Sequence, residues 1–246
     1  MDISAACRFD MKPRFPLPEE VPRGHFKQVP QEQEPHAKST QKALPWLKLL
    51  PAGNPLIEIF GQIHTAILYT KSKELRKAKW KCIEYILYWI DPIMHNLLSL
   101  ETETDGKPSE NLLFNMCRLG ICIFLGPIRR NCGKLGVSTK IYVRKLKTLL
   151  SNPHNANVIK VPRAFMLWLL FFGMLESRGL QDEQWYLASL AKTASGFGLV
   201  WDDLVAIVSG FLWMDSVYQK ELEDAKSRFT LKEVALWFPV GRQILI

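Results

Sequence analysis

Apolar side chains recur at threes and fours along most of this chain, and the phase of that recurrence predicts helices rather than strands. From Ile57 to Tyr69, the residues Ile59, Ile63, Ala66 and Ile67 fall on one helical face. Leu75, Ala78, Cys82, Ile86 and Ile90 make a second stripe, and Asp91 followed by Pro92 suits the cap and first position of a new segment, or a kink. In LLFNMCRLGICIFLG, Leu112, Met116, Leu119 and Ile123 are joined by Leu113, Cys117, Ile121 and Phe124. This helix is expected to be largely buried, with Ser109 as its cap and Gly126, Pro127 and Gly133 ending it. Its Arg118 must find an acidic or carbonyl partner, or snorkel out to water. Ser138 to Ser151 reads as a basic amphipathic helix closed by Asn152 and Pro153.

The most apolar stretch is Ala164 to Leu175, AFMLWLLFFGML, which has no charged or amide side chain. As a helix it extends roughly 18 Å, well short of the ~30 Å hydrocarbon core of a bilayer. Arg163 and Glu176 bound it, so a helix buried on all sides is predicted and no membrane span is expected. Ser177, Arg178 and Gly179 stop it. Asp182 can cap a following helix whose inner surface is Trp185, Leu187, Leu190 and Ala191, and Gly196 and Gly198 end that one. Leu204, Ile207, Val208, Phe211 and Leu212 form a last strong stripe, expected to continue past Trp213 into QKELEDAKSR. Sustained period-two alternation is missing, so the predicted class is all-α, an irregular multi-helix globular domain.

The amino-terminal part breaks this pattern. Residues 1–43 hold Pro13, Pro16, Pro18, Pro22, Pro30 and Pro35 among Glu, Gln, Lys and Arg, a composition that cannot bury enough surface to offset chain entropy. A disordered Pro-rich tail over 1–43 and a helical domain over 44–246 are expected, with Leu44 to Leu56 as an irregular strap or a short turn of helix.

Composition refines the picture modestly. At 246 residues and 48% hydrophobic, the chain can bury a substantial core. The start, MDISAACRFDMK, interrupts any apolar run with charge, so an intracellular protein with five reduced cysteines is expected rather than a disulfide framework. A net charge of +8 permits acidic partners without identifying one. Between Lys71 and Lys81, six cations face only Glu74, and residues 129–147 carry seven cations and no acid. Such runs serve as a nuclear import signal or a phosphate-contacting strip, or simply as the wet side of an amphipathic helix.

Catalytic chemistry is mostly missing from the pattern. The chain has no phosphate-cradling glycine loop, no nucleophile elbow and no Cys-x-x-Cys pair, so no metal or cofactor is expected. Asp202 and Asp203 lack the further Asp that a magnesium-binding helical cyclase needs, Ala206 standing in its place, and suit a helix start instead. Cys117 with His95 or His154 has no spacing that argues for a nucleophile and base. No catalytic residue is assigned and the chain is not expected to be an enzyme.

An ordered set of segments resembles the helical regulatory region of fungal transcription factors of the zinc-cluster class. LLFNMCRLGICIFL looks like the family's Arg-containing apolar helix, with Arg118 at the matching place. AFMLWLLFFGMLES resembles its Trp-Leu-Leu-Phe-Phe-Gly segment, Trp168 to Gly173, and the stretch from Trp185 to Tyr218 resembles its closing portion with the triplet Phe211, Leu212 and Trp213. The resemblance implies an all-α, non-enzymatic regulatory domain in the nucleus. It implies protein partners, including homo- or heterodimers with related factors, and in some members a small effector. The family's DNA-binding module needs six closely spaced cysteines, whereas the tail here holds only Cys7, so direct sequence-specific DNA binding is not expected. The alternative expectation is an accessory helical protein or an enzyme of fungal metabolism with an unrecognised site.

Overall fold

A computed structural model describes residues 3–16, 47–48, 50–71, 89–100, 108–132, 138–158 and 161–237, and among them every regular element is helical. The chain divides into two compact units, Met1–Lys160 and Val161–Ile246. The boundary falls within the stretch expected to form one domain. The expected helix through Leu75 and Ile86, with most of its basic run, lies outside the described residues, as do positions 17–43 of the expected tail and 44–46 of the expected strap.

The first unit contains α1 (Ile3–Phe9), α2 (Pro55–Lys71), α3 (Asp91–Ser99), α4 (Pro108–Cys132), α5 (Lys140–Ser151) and α6 (Pro153–Val158). Helix α2 buries the predicted stripe of Ile59, Ile63, Ala66 and Ile67 against α3 and α4. Helix α4 carries both of its apolar stripes inward and packs along α5 through Tyr142, Val143 and Leu146. By length and composition its residues Pro108–Asn131 could cross a bilayer, but 83% of that apolar window is buried inside the protein.

Three boundaries in this unit differ from the sequence reading. Helix α4 does not stop at Gly126 and Pro127 but continues to Cys132. Pro127 forfeits one backbone bond there, which the burial of Ile123, Phe124, Leu125, Ile128 and Arg129 around it offsets. Gly126 serves close approach instead, because a Cβ on it would lie 2.2 Å from Cγ2 of Thr139, just before α5. Pro108 starts α4 with a preset φ, which leaves Ser109 inside the first turn. Asp91 forms no capping bond, since a wider helical turn through Trp89 and Ile90 leads directly into α3.

The second unit is built on α7 (Arg163–Glu176), which packs on α8 (Glu183–Gly196) and α9 (Trp201–Phe211). After α9 come a single turn, α10 (Asp215–Tyr218), a 3-10 turn (Gln219–Glu221) and α11 (Leu222–Trp237), which closes over α8 and α9. The predicted core helix is realised, with Phe165 and every residue from Leu167 to Leu175 buried. Its aromatic side chains pack continuously, with ring centroids 5.1 Å apart for Trp168 and Phe211, 5.2 Å for Trp168 and Phe172, and 4.8 Å for Phe172 and Tyr218. Gly173 admits the Tyr186 ring, since a Cβ there would lie 2.1 Å from it. On α8, Leu187, Leu190 and Ala191 are buried as expected, while Trp185 is half-buried.

Two helix ends in this unit follow the turn chemistry of the sequence, but the expected cap Asp182 stands before α8 in a helical conformation and makes no side-chain capping bond. Gly179 and Gly198 have φ of +70° and +65°, where glycine carries no steric cost. Asp203 accepts the backbone N–H of Val200 at 3.4 Å, a helix-start role. The stripe on α9 does not run on past Trp213, however. Leu212 and Met214 are extended, and α11 begins as a separate helix. No glycine or proline marks that break; the carbonyl of Leu212 instead accepts the indole N–H of Trp168 at 3.2 Å.

Candidate functional site

The densest polar chemistry among the described residues lies in the first unit, around a segment whose composition reads as tail. Residues 3–9 form α1, and Asp10 follows with φ +51°, a left-handed conformation uncommon for any residue but glycine, asparagine or aspartate. The N–H of Met11 donates to the carbonyl of Ala6 at 3.0 Å, which closes the helix in a Schellman-type end with Asp10 at the left-handed position. Glycine is the common residue there. Aspartate adds a carboxylate, and its use is visible.

Oδ1 of Asp10 accepts from Nη2 of Arg118 at 2.5 Å, and its Oδ2 accepts from Nζ of Lys145 at 2.5 Å. The side chains of Arg118 and Asp10 are 5% and 3% exposed, so this pair is screened little by solvent. Burial alone would raise the Asp10 pKa, but the hydrogen bonds from Arg118 and Lys145 outweigh it and hold the carboxyl below its ordinary value. The same Asp10 contact, against the opposing effect of burial, keeps the Arg118 guanidinium charged. The apolar helix α4 therefore keeps its arginine by pairing it, not by snorkelling.

A second set of contacts lies alongside. Nε of Arg129 sits 2.9 Å from Oδ1 of Asp91, with both side chains buried, and Nη1 of Arg129 donates to Sγ of Cys7 at 3.4 Å. Burial pushes Asp91 up despite Arg129, and pushes the Cys7 thiol up to about 11. The hydroxyl of Tyr142 donates to the Cys7 carbonyl at 2.6 Å. Nε2 of His95 lies 2.9 Å from the Phe15 carbonyl, which fixes the proton on that nitrogen, while its buried Nδ1 has no hydrogen-bond partner among the described residues. Residues 3–16, although within the 1–43 stretch expected as a tail, are thus held in contact with the first unit. A seven-residue helix cannot stabilise itself, and its order comes from these long-range contacts.

The other sequence candidates fall elsewhere. Cys117 and Cys122 are fully buried and burial pushes both thiols far above the ordinary range, so neither is poised as a nucleophile. His95 is occupied with Phe15, and His154 is exposed at the start of α6. Asp202 is exposed and lies 3.6 Å from Lys226. Among the described residues no group of three His, Cys, Asp or Glu side chains is placed to hold a metal ion. Of the basic cluster at 129–147, Arg129 is buried in an ion pair and Lys145 reaches Asp10, while Lys140 and Arg144 remain exposed. No family model, curated protein or solved structure matches the chain.

Asp10 and Cys7 escaped the sequence reading because nothing local distinguishes them. The signal that could have found Asp10 was Arg118, whose place in an apolar stripe demands a distant acid.

Proposed function

We propose that the chain is a transcription-factor-like regulatory and interaction domain, without a DNA-binding zinc cluster of its own, that modulates transcription in the nucleus. It acts through protein contacts, including association with related factors, and a small effector is a second route of control. The observation that carries this reading is the order and spacing of the three apolar segments around Arg118, Trp168 and Phe211 to Trp213. A supporting feature is that the last two segments pack on each other in one core through Trp168 and Leu212. The buried charges around Asp10 answer one another and hold an element in place, which suits a binding role better than catalysis.

The test is to tether the full chain to a heterologous DNA-binding domain in a fungal cell and measure a reporter, while imaging an untethered fluorescent fusion. Nuclear accumulation and an altered reporter are expected, and Trp168→Ala should abolish the reporter effect. Exclusion from the nucleus together with an unchanged reporter, for a chain that is folded and expressed, would overturn the proposal.

A further inference from the structure

Residues 3–16 lie in the first unit as a bound peptide would, with anchors on three helices. His95 on α3 holds the Phe15 carbonyl, Arg118 and Arg129 on α4 hold Asp10 and Cys7, and Tyr142 and Lys145 on α5 hold the Cys7 carbonyl and Asp10. Ala6, Cys7 and Pro13 face inward. We propose that this groove is an exchangeable docking surface whose partner is the same segment of a second copy, so that two chains associate by trading residues 3–16.

Three observations carry the exchange. Every anchor is a side chain or carbonyl of the segment itself, so an identical segment from another chain restores each contact. The groove is also poorly suited to standing empty, because the guanidinium of Arg118 is buried and would lose its counter-charge. A chain whose own segment has been released is therefore satisfied best by a neighbour's. Lastly, residues 17–46 separate the segment from Leu47, and a span of that length reaches at most roughly 100 Å, enough for its own groove or one on an adjacent copy. The segment's outer side exposes Phe9, Met11 and Phe15 at 57%, 46% and 62%, apolar surface that a second copy would cover. The inference does not rest on a role in transcription.

The test uses full-length protein. Light scattering across a concentration series should show a monomer–dimer equilibrium. An Asp10→Lys chain, whose segment cannot anchor, and an Arg118→Glu chain, whose groove cannot receive it, should each be monomeric alone and form a heterodimer when mixed. Because charge reversal can prevent folding, a second arm adds a fluorescent peptide of residues 1–16 to the full-length Asp10→Asn chain. Saturable binding is expected, with the Asp10→Asn peptide about tenfold weaker. Failure of the peptide to bind a folded Asp10→Asn chain would overturn the docking surface. A wild type monomeric at every concentration would overturn the exchange even if the peptide binds, and would leave the groove to the chain's own segment. Folded variants that do not associate on mixing would overturn it equally.

Discussion

The indole N–H of Trp168, in the middle of α7, donates to the backbone carbonyl of Leu212, 44 residues further along the chain. That carbonyl lies beyond the end of α9, where no helical N–H is available to it, so the bond satisfies a group that burial would otherwise orphan. The same ring packs on Phe172 and Phe211. One side chain thus fixes both the register of α7 against α9 and the point at which α9 gives way to extended chain.

Separating those two roles gives a first prediction. Trp168→Ala removes a fully buried side chain and should cost about 3 to 5 kcal/mol. Trp168→Phe retains most of the apolar contact but orphans the Leu212 carbonyl, and should cost about 1 to 3 kcal/mol. Urea denaturation followed by circular dichroism distinguishes them. A Trp168→Phe variant as stable as the wild type would mean that the hydrogen bond contributes nothing.

Two glycines that look alike in sequence should respond to alanine with opposite signs. A Cβ on Gly173 would sit within 2.1 Å of the buried Tyr186 ring, so Gly173→Ala forces α7 and α8 apart and should cost about 1 to 3 kcal/mol. Gly210, also helical, has nothing within 4 Å of a Cβ and is exposed. Gly210→Ala should stabilise by about 0.5 to 1 kcal/mol through helix propensity alone. Thermal melts of both variants check this, and destabilisation by Gly210→Ala would contradict the open surroundings.

The pattern of hydrophobic positions made the helices legible because burial in this fold follows the 3.6-residue period closely. The stripes on α2 and α4 and the apolar run of α7 from Leu167 to Leu175 lie in the observed core, as does the α9 stripe apart from the half-buried Ile207. What it could not show were features set by distant partners. Gly126 and Pro127 have the local signature of a helix end, yet the space that Thr139 occupies is invisible from the sequence around them. Asp91 before Pro92 has the signature of a cap, but its carboxylate is drawn to Arg129. Arg118 announced that an acid was needed and could not say which. Its partner lies 108 residues away, in a segment whose average composition resembles an unfolded tail.

Asp10 and Asp91 should differ in how they respond to neutralisation and to pH. Asp10 has its folded pKa below the ordinary 3.8, so its contribution is fully present above about pH 3.8 and is lost as pH falls through the lower folded value. Asp91 is shifted upward, so its contribution has the opposite sign, present below its ordinary value and lost as pH rises through the raised one. At pH 7, Asp10→Asn should therefore cost more, about 2 to 4 kcal/mol, than Asp91→Asn, about 1 to 2 kcal/mol. Asparagine tolerates the left-handed backbone at position 10, which confines the change there to charge. Denaturation at pH 7 and pH 3 measures both terms, and a larger loss for Asp91→Asn at pH 7 would reverse the assignment.

Thiol chemistry reports the state of the amino-terminal segment directly. Cys7, Cys117 and Cys122 are all fully buried, and burial holds each largely protonated at pH 8, so none should react with a disulfide reagent while the chain stays closed. Their protection differs in kind. Cys117 and Cys122 lie inside α4 and become accessible only when the helical core opens. Cys7 is covered because α1 is held down by Asp10, Arg129 and Tyr142, so releasing that segment exposes it while the core remains intact. In a Cys82→Ser, Cys132→Ser background, one thiol should therefore label ahead of the other two. Asp10→Asn should accelerate it by about tenfold or more without changing the slower pair, since the Asp10 ion pairs with Arg118 and Lys145 anchor only the segment. Peptide mapping of the labelled chain identifies which cysteine reacts. Labelling of all three at one common rate, unchanged by Asp10→Asn, would mean that α1 opens only with the rest of the unit.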